Sequence, residues 1–186
     1  MIVRLWRALF AAGLLLAASG ASAGEEIVPS AGAKPPFVLN GLRGTDVALA
    51  TQQGRVVLVH FFATWCEPCR EELPALRRLV ARSAERPVAV LAISVGEVDA
   101  RVARFMESMP VNFPVLLDRE RAVARAWDVY ALPTTYVLDE TLTAKLVVNG
   151  DFAWDTLTPE RLRDMIASAP AKRTNHSRST ETPEGG

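Results

Sequence analysis

The sequence predicts an α/β protein with a central mixed β-sheet flanked by helices. Three observations predict it. Residues 55–62, Arg-Val-Val-Leu-Val-His-Phe-Phe, run apolar without clear alternation, as a strand buried on both faces does. Residues 88–95 repeat the pattern, and amphipathic stretches with apolar residues three and four apart separate the strand-like runs. Two further strand-like segments, joined by a turn and followed by a helix, add an antiparallel hairpin to the parallel strands.

Taken in order, residues 24–35 are a polar lead-in containing Pro and Gly, expected to be flexible. Residues 37–42 and 46–49 are short strands around Gly41 and Gly44, an N-terminal strand or hairpin extension. Gln52-Gln53-Gly54 is a turn signal before the first buried strand. A helix follows Cys69, with Leu73, Leu76, Leu79 and Val80 on one face and Pro74 expected to kink it. After the strand at 88–95, residues 99–109 read as a helix with Val102, Phe105, Met106 and Met109 as its core stripe. Residues 113–117 are a strand and 119–127 a helix, a small βα insertion. Residues 132–138 and 142–148 pair around a turn at Asp139-Glu140-Thr141. Thr158 caps the last helix, with Pro159 in its first turn and Leu162, Met165 and Ile166 facing inward. Residues 36–169 thus form one domain, and the polar stretch 170–186 is expected to be a disordered tail.

Composition narrows the function. The 186 residues carry 21 Lys+Arg, 21 Asp+Glu and 2 Cys. Balanced charge gives no electrostatic footprint for nucleic acid. Two cysteines are too few for a disulfide-stapled miniprotein or a four-cysteine zinc site. The first 23 residues hold 17 apolar side chains and two charges, Arg4 and Arg7, and end in Ala21-Ser22-Ala23. They read as a secretory signal peptide, with an uncleaved anchor as the alternative. Without them the net charge is 19 − 21 = −2. An exported protein meets an oxidising compartment, the periplasm or another extracytoplasmic space, where two cysteines pair unless something reduces them.

Both cysteines lie within four residues, Cys66-Glu67-Pro68-Cys69, after a buried strand and at the start of a helix. Free N–H groups and the helix dipole favour an anion there. A Cys66 thiolate is therefore favoured, Cys66 is the expected attacking sulfur and Cys69 the resolving one. Pro68 suits a first helical turn, where its missing N–H is no loss. A static disulfide is the alternative, though so short a loop constrains the unfolded chain little.

The stretch Phe62-Ala63-Thr64-Trp65-Cys66-Glu67-Pro68-Cys69-Arg70-Glu71-Glu72-Leu73-Pro74, with Leu132-Pro133-Thr134-Thr135-Tyr136, resembles extracytoplasmic thioredoxin-like proteins of the TlpA/ResA type. Gly150 and Trp154 also fit, and the likeness spans residues 36–167. The resemblance implies a thioredoxin fold and thiol–disulfide exchange outside the cytoplasm, often in cytochrome c maturation. It further implies a cis peptide before Pro133, and a loop of Leu132, Pro133 and Thr134 facing the cysteines and pairing with extended substrate. Glu72, three residues after Cys69, matches the family's glutamate implicated in proton transfer to the resolving thiol.

Other residues are read against plainer alternatives. His60 lies six residues before Cys66, where thioredoxins carry a buried acid. It is either a proton relay beneath Cys69 with a pKa near the working range or a core histidine satisfied by its neighbours. Glu67 disfavours a Cys66 thiolate by like charge, which points to a reductant, or it is a surface acid of little influence. Trp65 caps the disulfide and shapes the substrate groove, and Trp127 and Tyr130 either extend that rim or pack in the core.

A protein-disulfide reductase, expected to be a monomer, is the preferred reading. It needs no cofactor or metal beyond the Cys66–Cys69 couple, and no nucleic acid. It acts on protein disulfides and requires a transmembrane thiol-electron carrier to re-reduce it. Membrane contact is expected only if the leader stays in place. A disulfide-introducing oxidase or isomerase is one alternative, although it normally carries a larger helical insertion than residues 97–130 offer. A copper-binding assembly protein is another, although the second histidine, His176, falls in the tail. Val59 and Ala63 stand where a thiol peroxidase needs Pro and Ser or Thr.

Overall fold

The computed structural model describes residues 26–30, 33–83 and 87–170. The expected leader and tail lie outside them. The strands are β1 (Glu26–Pro29), β2 (Val38–Asn40), β3 (Asp46–Ala48), β4 (Val56–Phe62), β5 (Val88–Val95), β6 (Val115–Asp118), β7 (Thr134–Leu138) and β8 (Ala144–Asn149). The helices are α1 (Glu67–Ala81), α2 (Asp99–Ser108), α3 (Ala122–Ala126) and α4 (Pro159–Ser168).

Six strands form one sheet in the order β1-β8-β7-β4-β5-β6. Strands β4, β5 and β6 run parallel, while β7, β8 and β1 add antiparallel partners on the other side. This is a thioredoxin-like α/β fold with β4 at its centre. Every residue of β4 is buried, which explains its unbroken apolar run. Its alternate residues feed two cores. Val57, Val59 and Phe61 pack with Trp127, Tyr136 and α3, while Val56 and Leu58 pack beneath α1 and α4. His60 and Phe62 share the α1 side by the two-residue period of a strand. The hairpin β2–β3 forms its own two-stranded sheet, meets β6 at the Gly41–Leu116 bridge and packs Leu39 and Val47 against the core.

Several expectations need correction. The lead-in is not a loose segment in its described part. β1 pairs along the outer edge of β8, with Ile27 opposite Val148 and Val28 opposite Val147. Lys34 then binds Trp127 O at 3.1 Å and Asp128 at 3.0 Å, with its ammonium 4.7 Å from the Tyr136 ring centre. An uncovered β8 would leave a row of backbone groups unpaired, and this short segment satisfies them.

The helix expected at 119–127 shortens to α3. Arg121 adopts a left-handed conformation (φ 56°), and the buried Asp118 carboxylate accepts from Val123 N and Ala124 N, which fixes a later start. The α2 stripe is only partly core: Val102 is buried, while Phe105, Met106 and Met109 are half-buried. Helix α1 continues as one element through Pro74.

Candidate active site

The chain leaves β4 through a turn closed by Cys66 N donating to Ala63 O at 3.1 Å, and enters α1 with Cys66 as N-cap. Cys66 keeps an extended backbone (φ −83°, ψ 109°), and its sulfur accepts the Cys69 N–H at 3.3 Å. The sulfur thus stands where a Ser or Asp oxygen stands at other helix starts, in a position that favours negative charge. Cys66 and Cys69 form a disulfide (S–S 2.01 Å). Cys66 is 5% exposed and Cys69 0%, so the second cysteine is the more deeply buried of the pair. Pro68 lies in the first turn of α1, as expected.

One turn beyond Cys69, Glu72 points inward and is 2% exposed. Its Oε1 accepts from Phe152 N at 2.6 Å and its Oε2 from Trp154 Nε1 at 3.0 Å. The carboxylate therefore joins the dithiol helix to the segment after β8. Glu72 is thus a buried acid, whereas Glu71 next to it is exposed.

His60 is wholly buried, and its register partner across β7 is Thr135. Nδ1 lies 2.9 Å from Thr135 Oγ1 and 3.4 Å from Glu72 Oε2, while Nε2 has no hydrogen-bond partner among the described residues. Burial pushes the imidazole pKa from 6.5 down to about 3. A pKa near the working range is thus overturned, because the apolar surroundings exclude the charged ring. With Nδ1 facing two oxygens, the neutral ring places its hydrogen on Nδ1. His60 is a buried neutral ring hydrogen-bonded to Thr135 beside Glu72, rather than a group that takes up protons near neutral pH.

The Leu132–Pro133 peptide is cis. Leu132 is half-buried and packs on the apolar cluster that contains Cys66 and Cys69, which brings this loop to the disulfide. Pro133 O accepts from Gly150 N at 3.0 Å. Thr134 is 2% exposed and its hydroxyl donates to Ala131 O at 2.9 Å.

Around the cysteines, Trp65 is 65% exposed and stands out from the surface rather than packing as a cap. Glu67 is exposed and pairs with Arg70 at 3.2 Å, which offsets the like-charge effect expected of it. The Arg70 guanidinium in turn lies 5.8 Å from the Phe105 ring centre. Tyr130 is exposed, but Trp127 is fully buried between Phe37, Phe61 and Tyr136, so its place on the rim is corrected to the core. Sequence reasoning missed Thr135 and Phe152 N as partners. The backbone N–H leaves no sequence signal, whereas a buried Trp154 needing a partner for its N–H was a usable hint. Among the described residues no group of three or more His, Cys, Asp or Glu is placed to hold a metal ion.

Comparison with known proteins agrees with this geometry. The family model described as AhpC/TSA family matches residues 32–145. The chain is 36% identical over 144 residues to the thiol-disulfide oxidoreductase ResA of Bacillus subtilis (strain 168), covering 77% of this chain and 78% of the relative. It is 34% identical to ResA of Geobacillus thermodenitrificans over 72% of this chain and 74% of the relative. Among solved structures, a candidate thiol:disulfide interchange protein DsbE from Chlorobium tepidum superposes with a TM-score of 0.65 at 28% identity, covering 75% of this chain and 97% of that one.

Proposed function

The chain belongs to the AhpC/TSA family and is a thiol–disulfide oxidoreductase like ResA, and we propose that it runs this chemistry as a reductase of exported proteins. The asymmetry of the two sulfurs carries the reading. Cys66 sits at a helix N-cap and touches solvent, while Cys69 is sealed beneath it.

In the reduced form the Cys66 thiolate attacks one sulfur of a substrate disulfide. A mixed disulfide forms and the substrate's other sulfur leaves as a thiolate. Cys69 then gives up its proton and attacks Cys66, expelling the second substrate thiolate. Two electrons pass from the dithiol to the substrate, and the Cys66–Cys69 disulfide remains. Glu72, one turn past Cys69 on the buried side, is the group that receives the Cys69 proton, and His60 lies 3.4 Å behind its Oε2. The backbone of Leu132, beside Pro133, pairs with the substrate strand.

The modest helices between the dithiol and Pro133 support the reductive direction. The leader expected at 1–23 supports a periplasmic or equivalent location, with membrane attachment only if it is retained. A transmembrane thiol-electron carrier supplies the electrons. Protein disulfides are the substrate class, and the cysteine pair of an apocytochrome c is the substrate the TlpA/ResA likeness favours.

The test is a trap. Cys69→Ser should accumulate a disulfide-linked substrate through Cys66, and Cys66→Ser should abolish exchange. Equal residual activity in the two variants would refute the assigned roles.

A further inference from the structure

A second buried acid near the dithiol is used by none of the steps above. Glu97 follows Gly96 just past the carboxyl end of β5 and is 8% exposed. Its Oε2 accepts from Thr64 N at 2.8 Å and from Ser94 Oγ at 2.9 Å, and its Oε1 accepts from Thr64 Oγ1 at 2.6 Å. Buried acids are normally paired with a cation. Among the described residues Glu97 makes no ion pair, and its three donors are neutral.

Two of those donors belong to one residue, and that residue lies two places before Cys66. Both the N–H and the hydroxyl of Thr64 are held by one carboxylate, which fixes its backbone and its side chain together. Thr64 sits inside the turn that Cys66 N closes onto Ala63 O. Strands β4 and β5 are register neighbours up to Phe62 and Ser94, so the carboxylate ties the loop after β5 to the loop after β4. A backbone carbonyl would satisfy the Thr64 N–H alone. Placing a carboxylate in a buried site to hold both groups is a costlier arrangement that calls for a function beyond filling one bond.

We propose that Glu97 is a positioning residue for exchange: by gripping Thr64 it holds Cys66 at the N-cap of α1, with its sulfur on the Cys69 amide. The inference rests on Cys66 being the attacking sulfur. Without the grip the turn loosens, the sulfur leaves the helix N-terminus, and its thiolate loses the stabilisation found there.

The experiment follows Cys66 directly. In reduced protein carrying Cys69→Ser, alkylation by iodoacetamide is measured across pH, alone and combined with Thr64→Val, Thr64→Ser, Glu97→Ala and the Thr64→Val/Glu97→Ala pair. Thr64→Val and Glu97→Ala should each raise the pH at which Cys66 ionises and slow alkylation near neutral pH at least about fivefold. Thr64→Ser, which keeps both donors, should retain the parental profile. The pair should be no slower than Glu97→Ala alone, because both act through one contact. A parental profile in folded Thr64→Val and Glu97→Ala would overturn the proposal. So would a lowered ionisation pH in Glu97→Ala with Thr64→Val unchanged, since the carboxylate would then act by its charge. If Glu97→Ala does not fold, the contrast between Thr64→Val and Thr64→Ser decides the question. Iodoacetamide needs no protein substrate, so a failure of the reductase reading in the trap leaves this measurement standing.

Discussion

Sealed beneath α1 against β7, His60 stays neutral wherever the protein works, and this sets an acid limit on stability. The folded ring ionises near pH 3 and the unfolded ring near 6.5. Between those values the unfolded chain takes up a proton that the folded chain refuses. The contribution of His60 to stability is therefore level above about pH 6.5 and falls below it, by up to about 1.4 kcal/mol per pH unit. Urea midpoints measured from pH 7 down to pH 4 should fall accordingly, and His60→Asn should flatten that slope. An equally steep slope in the variant would assign the acid sensitivity to other groups. At this scale the sequence revealed whatever is local. Cys66, Pro68, Cys69 and Glu72 lie within two helical turns, where spacing alone places them. The bonds that define Glu72 span 80 and 82 residues, and no local pattern encodes them.

The elements around the site are joined by a few long-range contacts, and Glu72 is the clearest of them. It connects α1 to the 3-10 turn Trp154–Thr156 that leads into α4. In Glu72→Gln an amide NH2 faces at least one of the N–H donors that the carboxylate accepts. A buried donor left without an acceptor costs about 1–3 kcal/mol. The variant should melt earlier, shift Trp154 fluorescence toward a more polar environment and exchange disulfides several-fold more slowly near neutral pH. Unchanged Trp154 emission would mean that Glu72 does not anchor this turn. Element types were legible from periodicity, which correctly separates strand from helix along the described chain. Boundaries were less so where tertiary groups set them. The Asp118 carboxylate, not the local sequence, decides where α3 begins.

Across the whole molecule, the mixed sheet and its two cores were legible because β4 and β5 are apolar on both faces. β1 was not, because four residues ending in Pro29 and followed by Ser30 carry too little pattern, and their stability comes from the β8 edge they cover. Removing the chain up to Ser30 should lower the melting temperature and promote aggregation through the bared edge, while the folded fraction still exchanges disulfides. An unchanged melting temperature would show that β1 adds nothing to the fold. One more consequence follows from the sealed Cys69. On the proposed cycle an electron donor meets Cys66 in the oxidised form, and a client disulfide meets that same residue in the reduced form. Donor and client therefore compete for one address and cannot occupy the molecule together. Electrons should then cross it in alternating visits, with the steady-state kinetics of a ping-pong carrier.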